Sequence, residues 1–115
     1  MTYELAKQLK DAGFRQDTKF GIWEDATDCL PLEECPKTWG DTVACPTLSE
    51  LIEACVATKP DELICIGHAM YDKENFHAAF YENELVVGIM PKQTISVFGK
   101  TLEEAVANLW LKLNQ

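Results

Sequence analysis

Apolar residues recur at helical spacing in three stretches of the chain. Leu5, Leu9 and Ala12, with Ala6 beside them, follow Thr2 and stop at Gly13, a residue suited to a helix C-terminal cap. Leu48, Leu51, Ile52, Cys55 and Val56 form a second stripe, closed by Lys59-Pro60. Leu102, Ala105, Val106, Leu109, Trp110 and Leu113 form a third. The second and third stripes begin with Thr47-Leu48-Ser49-Glu50 and Thr101-Leu102-Glu103-Glu104. In that pattern a threonine hydroxyl and a glutamate three residues on can satisfy each other's free backbone N–H.

Between the second and third stripes the repeat shortens to that of strands. Leu63 to Met70 predicts one strand. Phe76 to Tyr81 and Leu85 to Met90 predict a hairpin turning on Glu82-Asn83-Glu84. Its expected pairs are Phe80–Val86, Ala78–Gly88 and Phe76–Met90 on one face, and Tyr81–Leu85, Ala79–Val87 and His77–Ile89 on the other. Pro91 interrupts pairing, and Thr94 to Phe98 resumes it at an edge or after a bulge. Lys19 to Trp23 and Thr42 to Cys45 predict two shorter strands, separated by a loop over 24–41. The fold class is therefore α+β in one domain over 1–115, with helices packed on an antiparallel sheet of about four to six strands. The order is roughly α-β-β-α-β-β-β-β-α. Both faces of the hairpin are apolar, so both require cover. The first helix and the 20–45 region are the expected cover for the second face, within a monomer; a homodimer through that face is the alternative.

At 115 residues and 47% apolar, the chain can build a core without a metal or disulfide staple. Charge sharpens the picture. The formal net charge is -9, distributed as +1 over residues 1–20 and -10 over the rest. Such a surface repels nucleic-acid phosphates and anionic membrane faces, and it suits a basic protein partner. No apolar run is long enough to span a membrane. The N-terminus reads as an amphipathic segment containing acids, not a secretory signal. Five cysteines, at 29, 35, 45, 55 and 65, form no Cys-x-x-Cys. Odd in number and without a signal, they are expected to be reduced thiols in a bacterial cytoplasm, with no disulfide and no bound zinc.

The candidate partner-binding residues lie in the acidic loop: Glu24, Asp25, Asp28, Glu33, Glu34 and Asp41, with Trp39 among them. A run of this kind is commonly just a solvated face. An exposed tryptophan amid carboxylates would instead anchor a partner. Cys65, His68 and His77 are the candidates for thiol chemistry, but strand alternation sends Cys65 and His68 to opposite faces. Gly99-Lys100-Thr101 matches the end of a phosphate-binding loop, yet Thr94 stands where that pattern needs its first glycine. A strand end, a glycine turn and a helix cap explain it fully. No catalytic residue, metal ligand or cofactor is expected.

Two stretches carry a resemblance. Pro46-Thr47-Leu48-Ser49-Glu50-Leu51-Ile52-Glu53-Ala54-Cys55 and Gly99-Lys100-Thr101-Leu102-Glu103-Glu104-Ala105-Val106-Ala107-Asn108-Leu109-Trp110-Leu111 resemble small uncharacterised proteins of phages and prophages. This implies a mobile-element origin. The sheet followed by Gly-x-Thr-x-Glu-Glu-Ala at 99–105 is also similar to the partial domain of HicB-like antitoxins. The expected function is non-enzymatic binding of another macromolecule, in the form of an acidic inhibitor of a host nucleic-acid-binding complex. One alternative is an antitoxin-like partner of a small basic toxin. Another is a thiol-dependent enzyme using Cys65, His68 and His77.

Overall fold

The computed structural model describes residues 1–24, 26, 28–35, 42–69, 72–82 and 92–114. Helix α1 (Tyr3–Asp11) starts at Thr2, whose hydroxyl accepts from Leu5 N. It ends at Gly13, which adopts φ 96°. The Gly13 N–H donates to Lys10 O and the Phe14 N–H to Leu9 O, the paired bonds of a Schellman cap. Only glycine takes that backbone conformation at no steric cost. The cap turns Phe14 back onto Trp110, ring edge to ring face, with centroids 4.9 Å apart.

Strand β1 (Phe20–Ile22) is the centre of a small antiparallel sheet, flanked by β2 (Leu30–Pro31) and β3 (Val43–Ala44). Within the expected loop, then, lie a short strand and a 3-10 turn, Leu32–Glu34. Proline has no N–H to donate, so it fits an outer strand such as β2. Helix α2 (Leu48–Thr58) opens with both halves of the capping box: Glu50 N donates to Thr47 Oγ1, and Thr47 N to Glu50 Oε1. Leu51 and Cys55 are buried, while Val56, at the margin of the stripe, is 38% exposed.

The second sheet is a three-stranded antiparallel meander: β4 (Glu62–Ala69), β5 (Asp72–Glu82) and β6 (Gln93–Gly99), with β5 in the middle. The register corrects the expected hairpin. Both edges of residues 76–81 are occupied, by β4 and by β6. Phe80 faces Ile64 and Ile95, and Ala78 faces Ile66 and Val97. The pairs assigned to Leu85 through Met90 are thus replaced by pairs to Gln93 through Gly99; residues 83–91 themselves lie outside the described residues. The fold is α+β, as expected, but with two three-stranded sheets in place of one larger one.

Helix α3 (Leu102–Leu113) starts at Thr101, whose hydroxyl accepts from Glu104 N. It packs on β5 and β6, with α2 and α1 beside it. Phe80, Leu9, Leu51, Leu109 and Val106 are almost wholly inaccessible and form the main core with Phe14 and Trp110. A smaller cluster of Ala6, Ile22, Val43 and Cys45 lies between α1 and the small sheet. Helix α1 serves both, with Leu5 and Leu9 in one cluster and Ala6 in the other.

Residues on the helix side of the large sheet, such as Ile64, Phe80 and Val97, join the main core. On the opposite face Leu63 is 42% exposed and Phe98 57%, and Cys65 is exposed. Among the described residues α1 packs against β3 and α3, away from that face, so the expected cover by α1 is not found. Leu85, Val87 and Ile89, placed on that face in the expected hairpin, lie outside the described residues.

Candidate functional site

Part of the acidic segment is ordered by strand pairing. Strand β2 pairs with β1 through Phe20–Pro31 and Gly21–Leu30. The 3-10 turn then carries Glu33 and Glu34 outward, and both are exposed. Behind them Cys35 is buried, its Sγ 3.5 Å from Pro31 O and 3.7 Å from Leu30 O. Asp28 is exposed and accepts from Cys29 N at 2.9 Å. Glu24 is also exposed, within a turn closed by Ala26 N donating to Trp23 O.

Cys29 is bonded to Cys45, with Cα atoms 6.1 Å apart. This overturns the expectation of five reduced thiols and no disulfide. The bond links the residue before β2 to the residue after β3. Those two strands flank β1, so sheet pairing draws together cysteines that are 16 positions apart in sequence. Cys35, Cys55 and Cys65 are free. Two of the five thiols thus no longer argue for a reducing compartment.

Of the seven candidate partner-binding residues, Glu24, Asp28, Glu33 and Glu34 are described and all four are exposed. Asp25, Trp39 and Asp41 lie outside the described residues. Ion pairs among the described residues include Arg15–Asp17, Arg15–Glu50 and Lys59–Glu62. None involves these four carboxylates, which stand toward solvent without a cationic partner among the described residues. A basic surface would meet them with opposite charge.

The thiol–imidazole trio is not brought together. Cys65 pairs with Ala79, and His77 with Gly67, so Cys65 and His77 are diagonal neighbours on the open face of the large sheet. His68 points to the opposite face and stacks on Phe76, with ring centroids 4.4 Å apart. The His77 ring lies 5.0 Å from that of Phe98. Both imidazoles are thus in contact with phenyl rings. Among the described residues no group of three or more His, Cys, Asp or Glu could hold a metal ion. Cys55 is a core residue: its thiol lies 3.7 Å from Val106 O, and burial pushes its pKa up to about 12. A thiol so reluctant to ionise is a poor nucleophile.

Gly99-Lys100-Thr101 is a packing junction. A Cβ at Gly99 would lie 2.4 Å from Ala105 N, so glycine is what lets β6 run directly against the first turn of α3. Lys100 is exposed and Thr101 caps the helix.

Sequence reasoning missed the pairing of Cys29 with Cys45. The available signal was their position beside two short apolar pairs, Leu30-Pro31 and Val43-Ala44, but Pro31 made the first of these resemble a loop. No protein-family model matches the chain, and neither the curated proteins nor the solved structures yield a match. No helix among the described residues is long and apolar enough to cross a membrane.

Proposed function

We propose that this chain is a non-enzymatic binding protein that presents carboxylates to a basic protein surface. In a phage or prophage setting it would inhibit a host nucleic-acid-binding complex in the bacterial cytoplasm, with its carboxylates standing in for phosphates. The observation that carries this reading is the pairing of exposure with restraint. Glu33 and Glu34 project from a 3-10 turn held by β2 before it and the buried Cys35 after it, with no cation beside them among the described residues. Carboxylates fixed before binding lose less conformational freedom on docking than carboxylates on a slack loop. They also steer a basic partner at long range.

The test is affinity capture from a bacterial lysate with the wild-type chain and with E33K/E34K, identifying what binds. A nucleic-acid-binding complex should be captured by the wild type, released by high salt or added DNA, and lost in the variant, with melting unchanged. Capture of one small basic toxin in its place would support the antitoxin reading instead. Capture unaffected by the double reversal would refute the acidic docking surface.

A further inference from the structure

We propose that the Cys29–Cys45 bond is a redox latch, whose reduction by a dithiol releases β2 and the turn bearing Glu33 and Glu34 while the main core stays folded. The latch stands or falls independently of what the carboxylates bind.

The small sheet supplies the first argument. Among the described residues, strand β2 and the residues before it are tied to the rest of the molecule by two register pairs with β1, by the packing of Ala26 and Cys29 on the small cluster, and by this covalent bond. The Cys35 contacts to Leu30 O and Pro31 O lie within the segment itself and do not anchor it elsewhere. Two residues of pairing form a weak tie. Removing the bond therefore removes the covalent tie that holds the start of β2 beside the end of β3.

Placement of the sulfurs supplies the second. Cys45 is buried with Ala6, Ile22 and Val43, and its N–H donates to Phe20 O. Cys29 is only partly buried and follows the exposed Asp28. An incoming thiolate therefore reaches Cys29 Sγ first. The dithiol's sulfur bonds to Cys29, the Cys29–Cys45 bond breaks, and Cys45 leaves as a thiolate that takes up a proton. The dithiol's second thiolate then attacks the mixed disulfide, closes its own disulfide and releases Cys29, which takes up the second proton. Two electrons pass from the dithiol to the cysteine pair.

The third argument is the separation of the two apolar clusters. The main core contains one cysteine, Cys55, and it is free. Opening the small sheet leaves the contacts of α2 and α3 with Phe80 and Leu109 in place. In a reducing cytoplasm a disulfide is typically transient and redox-responsive.

The three free thiols make the test internal to the protein. Cys65 is exposed, Cys35 is buried inside the loop that the bond closes, and Cys55 is buried in the main core. The intact chain is alkylated under native conditions with iodoacetamide, before and after treatment with dithiothreitol, and the labelled sites are mapped by mass spectrometry. Before reduction only Cys65 should label readily. After reduction Cys29 and Cys45 should become labelled, and Cys35 should label faster by about tenfold or more, as local opening exposes it. Cys55 should remain protected. In C29S, Cys35 should label quickly without any reductant. Labelling of both Cys29 and Cys45 in air-oxidised protein would show that the bond is not formed. A Cys35 rate unchanged by reduction would show that nothing is released. Labelling of Cys55 in step with Cys35 would mean global unfolding. Each of these results would overturn the latch.

Discussion

Replacing Gly99 with alanine tests the seating of α3 on the sheet, and the sign of the effect is what matters. By backbone entropy alone, a glycine-to-alanine change at a compatible strand position stabilises by about 0.4–1 kcal/mol. At Gly99 the added methyl would lie 2.4 Å from Ala105 N and 2.8 Å from both Ala105 Cα and Glu104 C. These are backbone atoms of the first turn of α3, so no side chain can rotate out of the way. Ala105 is fully buried, and Val106 and Ala107 beside it are inaccessible as well. Relief to ordinary contact requires the strand end or the helix start to move by about 1 Å, in a region packed to solid-like density. Overpacking of this kind costs about 1–3 kcal/mol, and a backbone obstacle places G99A at the upper end. Gly67 is the control, since a Cβ there would meet nothing within 4 Å. Urea denaturation of G99A and G67A should therefore give effects of opposite sign: a loss of about 2–3 kcal/mol for the first and a gain of about 0.4–1 kcal/mol for the second. If G99A were as stable as wild type, α3 would not lie against β6 as described, and the packing explanation of Gly99-Lys100-Thr101 would fail with it.

Two further outcomes are expected. Thr47→Ala and Thr101→Ala should each cost about 1 kcal/mol in a denaturation series, with Thr47 the more costly because its hydroxyl is half of a reciprocal pair with Glu50; equal, negligible losses would mean that the helices start elsewhere. The Glu62 carboxyl is held below its usual range, chiefly by Lys59 at 2.9 Å and also by the Thr94 hydroxyl. A lowered folded-state pKa contributes stability that is fully present above the unfolded pKa, about 4.3 for Glu, and is lost as pH falls through the lower folded value. Stability measured from neutral pH into that acid range should thus fall less steeply in E62Q than in wild type, and parallel curves would show that the pair contributes nothing.

Helix starts were legible because their chemistry is local. Thr2, Thr47 and Thr101 sit beside the N–H groups they satisfy, and Gly13 lies one residue beyond the cap it permits. Strands β1, β3, β4, β5 and β6 were legible from composition, but β2 and the partnership of β5 were not. Leu85 to Met90 and Thr94 to Phe98 both have strand-forming composition, and propensity cannot say which of them lies beside Phe76 to Tyr81. The choice is tertiary. Ile95 and Val97 reach the core that Phe80 and Ala78 already occupy, and Gly99 admits α3 at the end of the same strand. The disulfide was hidden in a similar way, because it depends on β2 and β3 flanking β1, and β2 is only two residues long. In the acidic segment, charge was readable from composition, whereas the restraint on Glu33 and Glu34 arises from strand pairing, the Cys29–Cys45 bond and the burial of Cys35.

The dual allegiance of α1 places a constraint on how the sequence can drift. Ala6 is fully buried against Ile22 and Val43, while Leu5 and Leu9 on the same nine-residue helix are committed to the other cluster. A larger residue at position 6 cannot be accommodated by rotating the helix, because rotation would withdraw Leu5 and Leu9 from Leu109 and Trp110. The volume would have to come from the facing strands. Across diverged copies of this chain, positions 6, 22 and 43 should therefore vary as a set with roughly constant total volume, and the exposed side of α1 should vary freely.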